Sequence, residues 1–211
     1  MKKIKYCIWD VGNVIYQYSL EPLHQWCKTH TQDQTLFEAN KGKFNYNDYM
    51  KGLVPFEQLC QQLCDFYGIL YDKKYFPEIN KAFHQGIIEY FSETRQAQNF
   101  LSSQGIENCI LSNALPVLGE DEKINQIIKP QHRFCSFELG LLKPDPKIYH
   151  TVKDKLDCEF NELIFVDDKA KNTSAAAMLG IHTITYKKES ILKDIKNILF
   201  TSSPHKLGKS R

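Results

Sequence analysis

Five short β-rich runs punctuate this 211-residue chain, and the gap between the first two constrains its fold most. The runs lie at residues 4–9, 106–111, 134–137, 163–166 and 182–186, judged by length and bounding turns. The first gap spans roughly 90 residues, far more than one crossover between neighbouring strands requires. Its pattern is helical at 20–29, at 48–66 with a break near Pro55, and at 77–90. It is also rich in aromatics, among them Tyr46, Tyr49, Phe56, Phe66, Tyr67 and Phe83.

Helical patterns separate the later runs. Ser92 is placed to cap a helix that stops near Gly105. Asp145 is placed to cap another, with Ile148, Val152 and Leu156 spaced by four. The alanine-rich stretch 171–179 ends at Gly180, a good helix stop. Ser190 opens a last helix whose apolar stripe is Ile191, Ile195, Ile198 and Leu199. Strands alternating with helices predict an α/β fold, a doubly wound parallel sheet covered on both faces. The expected organisation is a core of residues 1–15 and 92–201, a helical insertion of 16–91, and a basic tail of 202–211. The insertion is expected over the C-terminal edge of the sheet, where open α/β sheets bind ligands. The alternative is a packing unit with no role at that edge.

A formal charge of +2 gives no strong pull toward nucleic acid or a membrane surface. No apolar run approaches the roughly 18 residues of a membrane span. The N-terminal MKKIKYCIWD is basic and then apolar, but its apolar part meets Asp10 too soon for a signal peptide. The expected compartment is therefore the cytoplasm. Seven cysteines are an odd number with scattered spacing. Cys60 and Cys64 share an apolar helical face with Leu59 and Leu63, so they read as small buried thiols rather than metal ligands or disulfide partners.

Parallel strands bring their C-terminal ends to one edge. The first strand ends at Asp10, the second in Ser112-Asn113 and the fourth in Asp167-Asp168, while Lys143 lies between them in LGLLKPDP. Taken alone, Ser-Asn at a strand end is as often a turn or a cap as a ligand, and a lone lysine is usually solvated. Asp167 and Asp168 differ, because adjacent acids after an apolar run repel each other unless a cation lies beside them. A helix dipole accounts for one of them at most. With Asp10 they make three carboxylates on one edge. That set suits a hard divalent cation such as Mg²⁺, which takes a few carboxylates, waters and a phosphate oxygen. A hydroxyl, an amide and an ammonium beside it form a phosphate cradle. The expected partner is a small phosphorylated metabolite.

The stretches WDVGNV, LSN, KPDPKIY and VDDKAKNTSAAAMLGI, in that order, resemble the four signature motifs of the haloacid dehalogenase-like hydrolase superfamily. The resemblance implies a central sheet of strand order 3-2-1-4-5 with the first motif on the middle strand, and a helical cap formed by the insertion. It implies that Asp10 is the nucleophile, forming an aspartyl-phosphate. It assigns phosphate binding to Ser112 and Asn113, and to Lys143 the steadying of Asp10 and the phosphoryl oxygens. Asp10, Asp167, Asp168 and the carbonyl of Gly12 are implied Mg²⁺ ligands, and Asn172 matches a frequent polar position one turn past the acids.

Gly12 departs from the pattern, since most phosphatases of this superfamily carry Asp there. That acid protonates the leaving group and later helps activate water, help worth roughly 10²–10⁴-fold. The first motif resembles a DxGN subgroup similar to bacterial glucose-1-phosphate phosphatases, whose anomeric leaving group needs less protonation than a plain alkoxide. Tyr16, Tyr18 and His24 flank the insertion and are candidates for a substitute proton donor. The alternatives are a dehalogenase, whose halide leaves without a proton but whose chemistry needs no metal, and a non-catalytic protein that keeps a phosphate or partner site.

Overall fold

The computed structural model describes residues 3–118 and 128–200. The tail at 202–211 lies outside the described residues. In chain order the main elements begin with β1 (Tyr6–Trp9), β2 (Tyr16–Tyr18), α1 (Glu21–His30), α2 (Gln34–Asn40), α3 (Asn47–Met50), α4 (Phe56–Phe66) and α5 (Phe76–Gln85). After them come β3 (Ile87–Tyr90), α6 (Ser92–Ser103), β4 (Glu107–Ser112), β5 (Arg133–Cys135) and α7 (Ser136–Leu139). The last are α8 (Pro146–Lys155), β6 (Leu163–Asp167), α9 (Ala170–Met178), β7 (His182–Thr185) and α10 (Ile191–Phe200).

Five strands form one sheet in the order β5-β4-β1-β6-β7, every pair parallel. This is the doubly wound α/β sheet the sequence predicts, with β1 in the middle. The period of two along each strand divides the core. Cys7, Trp9, Ile164 and Val166 face α6 and α10, meeting Ala97, Leu101, Ile191 and Ile195. Ile8, Leu111, Phe165 and Phe134 face α8 and α9, meeting Ile148, Tyr149, Val152 and Ala176. β1 and β6 are buried on both faces, which is why they read as unbroken apolar runs.

The insertion has its own apolar cluster, drawn from α1, α2, α4 and α5 around Leu23, Phe37, Leu63, Tyr67 and Phe83, and the core contributes Leu115 to it. Pro55 caps α4 on its N-terminal side, so the break expected there separates two helices. Three expectations need correction. The helix expected over 77–90 ends at Gln85, and β3 pairs antiparallel with β2. The junction is tight: Ser19 N–H donates to the Gly86 carbonyl at 3.0 Å. A Cβ on Gly86 would lie 2.4 Å from the Ser19 carbonyl oxygen. The strand expected over 134–137 stops at Cys135, and Ser136 begins α7. The cap expected of Ser92 is not made, because Phe91 holds that position and the Ser92 hydroxyl bonds the Glu93 carboxylate at 3.1 Å. Asp145 does cap α8, accepting from Lys147 N–H at 2.9 Å. The seven cysteines are all free and buried. Among the described residues, no helix is long and apolar enough to cross a membrane.

Candidate active site

The sheet delivers the site residues. β1 enters Asp10 already paired on both sides, and Asp10 N–H extends the ladder to the Val166 carbonyl at 2.8 Å. Asp10 is 6 % exposed. Its Oδ1 accepts from Val11 N–H at 2.8 Å and pairs with Lys143 Nζ at 2.8 Å. Both contacts fall on Oδ1, which leaves Oδ2 for a ligand. Burial pushes the Asp10 carboxyl above its ordinary value; Lys143 opposes that, and the like charge of Asp167 adds to it.

Lys143 is the electrostatic hub. Its ammonium is almost fully buried and donates to Asp167 Oδ2 at 2.7 Å and to the Leu111 carbonyl at 2.7 Å, as well as meeting Asp10. Asn113 holds its main chain from both sides: Nδ2 donates to the Lys143 carbonyl at 2.9 Å, and Oδ1 accepts from Lys143 N–H at 2.8 Å. The second motif therefore fixes the third-motif cation. Ser112, at the end of β4, is buried to 7 % exposure and lines the cavity described below.

Asp167 and Asp168 have different surroundings. Asp167 is fully buried and saturated. It accepts from Lys143 Nζ, from Lys169 N–H at 2.9 Å, and from Asn172 Nδ2 on both oxygens at 2.9 Å. Asn172 is fixed in turn by Tyr149, whose hydroxyl donates to the Asn172 carbonyl at 3.0 Å. Asp168 Oδ1 is buried with no hydrogen-bond partner. An unpaired buried carboxylate oxygen is costly unless a cation or an ordered water completes it. Oxygens of Asp10, Asp167 and Asp168 lie within 4.8 Å of one another. The donor set is all-oxygen and anionic, which fits a hard divalent cation and not a soft one.

A cavity of about 250 Å³ opens beside these residues. Gly12, Ser112, Asn113 and Lys169 build its polar end. Tyr16, Tyr18, Leu20, Tyr46, Met50 and Leu115 build most of the rest, so insertion and core both wall it. Tyr16 and Tyr18 line it as candidates for contact with a leaving group, whereas His24 lies outside the lining, edge-on to Tyr67. Arg133, Met50 and Lys169 also line the cavity, and the strand-end pattern marks none of them. Arg133 begins β5 opposite Ile110, and only that pairing brings it to the site. Lys169 carried a local signal, since it follows Asp168 directly.

A family model described as haloacid dehalogenase-like hydrolase matches residues 4–180. Bifunctional epoxide hydrolase 2 of Sus scrofa is 26% identical over 177 residues, covering 79% of this chain and 31% of the pig protein. The chain thus spans under a third of that relative. A haloacid dehalogenase family enzyme of Bacteroides thetaiotaomicron, solved with magnesium and inorganic phosphate, superposes with a TM-score of 0.71. It is 20% identical, with 88% of this chain and 95% of that chain covered. L-2-haloacid dehalogenase of Xanthobacter autotrophicus superposes with a TM-score of 0.59 at 14% identity, with 85% of this chain and 76% of that chain covered. At these identities the structural likenesses establish the fold alone.

Proposed function

Because this chain belongs to the haloacid dehalogenase-like hydrolase family, we propose that it is a Mg²⁺-dependent phosphatase acting on a small phosphate monoester. In this reading residues 1–15 and 92–201 are the catalytic core and 16–91 the cap. The observation that carries it is the Asp10–Lys143–Asp167–Asp168 cluster with its orphaned Asp168 oxygen. A dehalogenase has no need of that oxygen. A purely structural ion pair would have no reason to leave it unsatisfied.

Asp10 Oδ2 attacks phosphorus, and the bond to the leaving oxygen breaks, giving an aspartyl-phosphate. Lys143 holds Asp10 in place through Oδ1 and supplies positive charge as charge spreads over the phosphoryl oxygens. The Ser112 hydroxyl donates to a phosphoryl oxygen. Asp10, the Gly12 carbonyl and Asp168 would hold Mg²⁺ directly, and Asp167, saturated by Lys143 and Asn172, would support it from behind. When bound, the ion neutralises phosphoryl charge and orients the group for in-line attack. Water then displaces Asp10 from phosphorus, releasing phosphate.

The test is phosphate release from p-nitrophenyl phosphate, acetyl phosphate, glucose 1-phosphate and glucose 6-phosphate, with Mg²⁺ or with chelator. Glucose 1-phosphate is included because the first motif resembles that of sugar-phosphate phosphatases. Release that needs Mg²⁺ and is lost in Asp10→Asn is the expected result. Release that survives Asp10→Asn, or no release from any compound by folded protein, would overturn the reading.

A further inference from the structure

The lining of the cavity speaks to the leaving group. Among its described residues, none is Asp, Glu or His. Tyr18 and Tyr46 are poor proton donors near neutrality, because burial raises both hydroxyls well above their ordinary value. The Cys135 thiol is pushed up to about 11, also by burial. The missing acid is not a steric necessity. A Cβ on Gly12 would meet nothing nearer than Tyr18 Cβ at 3.8 Å, and Gly12 does not need the left-handed region. The turn admits an aspartate, yet this chain does without one.

The cavity is also a poor site for a polyol. A sugar demands donors and acceptors for each hydroxyl, and a site that binds one by hydrogen bonds is built of carboxylates and amides. Here the lining amide belongs to Asn113, and both of its ends are engaged on the Lys143 main chain. The Tyr18 hydroxyl is directed to the Phe83 carbonyl at 3.4 Å. Beyond the polar end the lining is mostly aromatic and aliphatic, with Tyr16, Leu20, Tyr46, Met50 and Leu115; the Tyr46 hydroxyl, buried without a hydrogen-bond partner, and the Arg133 guanidinium are polar groups there. A volume of about 250 Å³ lies below the roughly 300 Å³ at which drug-sized pockets begin, so the body bound is small.

We propose that the substrate is a small aryl or acyl phosphate: a phosphoryl group on a delocalised oxyanion carried by a flat, mostly apolar body. This rests on the phosphatase reading and narrows it. The electron balance needs no proton in the first step. Asp10 forms the new P–O bond, and the old P–O bond gives its electron pair to a phenolate or carboxylate oxygen that is stable as an anion. That anion departs into the body of the cavity. In the second step water attacks phosphorus, the Asp10 carboxylate leaves, and the water's proton passes to solvent.

The experiment is a leaving-group series of substituted phenyl phosphates with acetyl phosphate, benzoyl phosphate, glucose 1-phosphate and glucose 6-phosphate. It reads kcat/KM, which reports phosphoryl transfer to Asp10 even where later steps limit turnover. The expected result is a steep rise in kcat/KM as the leaving-group pKa falls, with aryl or acyl phosphates well ahead of both glucose phosphates. The ratio of benzoyl to acetyl phosphate separates a need for the flat ring from a need for the acyl group. Gly12→Asp should flatten the slope by raising poor leaving groups, up to about 10²–10⁴-fold, far more than good ones. A flat slope in the wild type or a glucose phosphate as the best substrate would overturn this proposal while Mg²⁺-dependent release kept the phosphatase reading. Loss of the phosphatase reading is distinguished by the absence of Mg²⁺-dependent release from every member of the series.

Discussion

Lys143 holds two buried carboxylates together, and burial penalises the ionised form of Asp10. Its folded pKa is raised, so the native state binds that proton more tightly than the unfolded chain does. Stability from this group is therefore present below the ordinary value of 3.8 and lost as pH rises through the folded value. At neutral pH the metal-free protein bears the cost of an ionised Asp10. Asp10→Asn removes that cost, and Lys143 keeps Asp167 and the Leu111 carbonyl as partners. The variant should lose turnover by more than about 10³-fold. Without metal at pH 7 its unfolding midpoint should be equal to or above that of the wild type, with the gap closing toward pH 4. Thermal melts at several pH values in chelator check this; a variant clearly less stable at pH 7 would contradict it. Lys143→Met should do the reverse. Two buried acids then face each other uncompensated, at about 3–5 kcal/mol, and more at pH 8 than at pH 5. Asp10, Ser112 and Asp167-Asp168 were legible as neighbours because strand ends converge wherever strands are parallel, whereas Lys143 lies in a loop and was joined to them only by the motif resemblance. Arg133 and Tyr46 were not, because what brings them to the cavity is strand pairing and cap packing between distant segments.

At the scale of elements, the insertion is held against the core by a few specific contacts. The Ser136 hydroxyl, at the start of α7, donates to the Met50 carbonyl of α3 at 2.6 Å and accepts from Ala114 N–H at 3.0 Å. Val117 N–H donates to the Tyr49 hydroxyl at 3.2 Å. Gly52 permits the approach: it sits at φ +71°, and a Cβ there would lie 2.5 Å from the Phe137 carbonyl oxygen. Met50, Ala114 and Leu115 all line the cavity, so this clasp sets its shape. Ser136→Ala strips a half-buried carbonyl and a half-buried N–H of their partner, a loss of about 1–3 kcal/mol. The expected kinetic result is a raised KM with a smaller change in kcat, because the residues at the chemistry are untouched. Steady-state kinetics decide it; an unchanged KM with reduced kcat would mean that the clasp does not shape the cavity. The element that escaped the sequence was the β2–β3 ribbon. Ile87–Tyr90 follows α5 after a single glycine, and no turn pair marks the change from helix to strand. The parallel strands were readable because burial on both faces leaves an apolar run, whereas β3 is half exposed and carries no such signature.

At the scale of the molecule, the question is whether insertion and core unfold as one. Tyr18 packs against both the core cluster and the insertion cluster, and Leu115 of the core belongs to the insertion cluster. That shared packing argues for a single cooperative unit even though the apolar clusters are separate. The chain's two tryptophans make the point measurable. Trp9 is fully buried one residue before Asp10, with its indole N–H on Asn108 at 2.8 Å. Trp26 sits in α1 against His30 and Glu78. In Trp26→Phe, fluorescence reports the core alone, while far-UV circular dichroism includes the insertion's helices. On the proposed reading Mg²⁺ would bind the folded site and not the unfolded chain, so at ten times its Kd it should add about 1.4 kcal/mol. For a chain of this size that is roughly 3–6 °C. If packing couples the two parts, both signals move together by that amount, although every proposed metal ligand lies in the core. If only the fluorescence transition moves, the cap unfolds on its own, and metal at the core would have no means of steadying the aromatic wall that covers it.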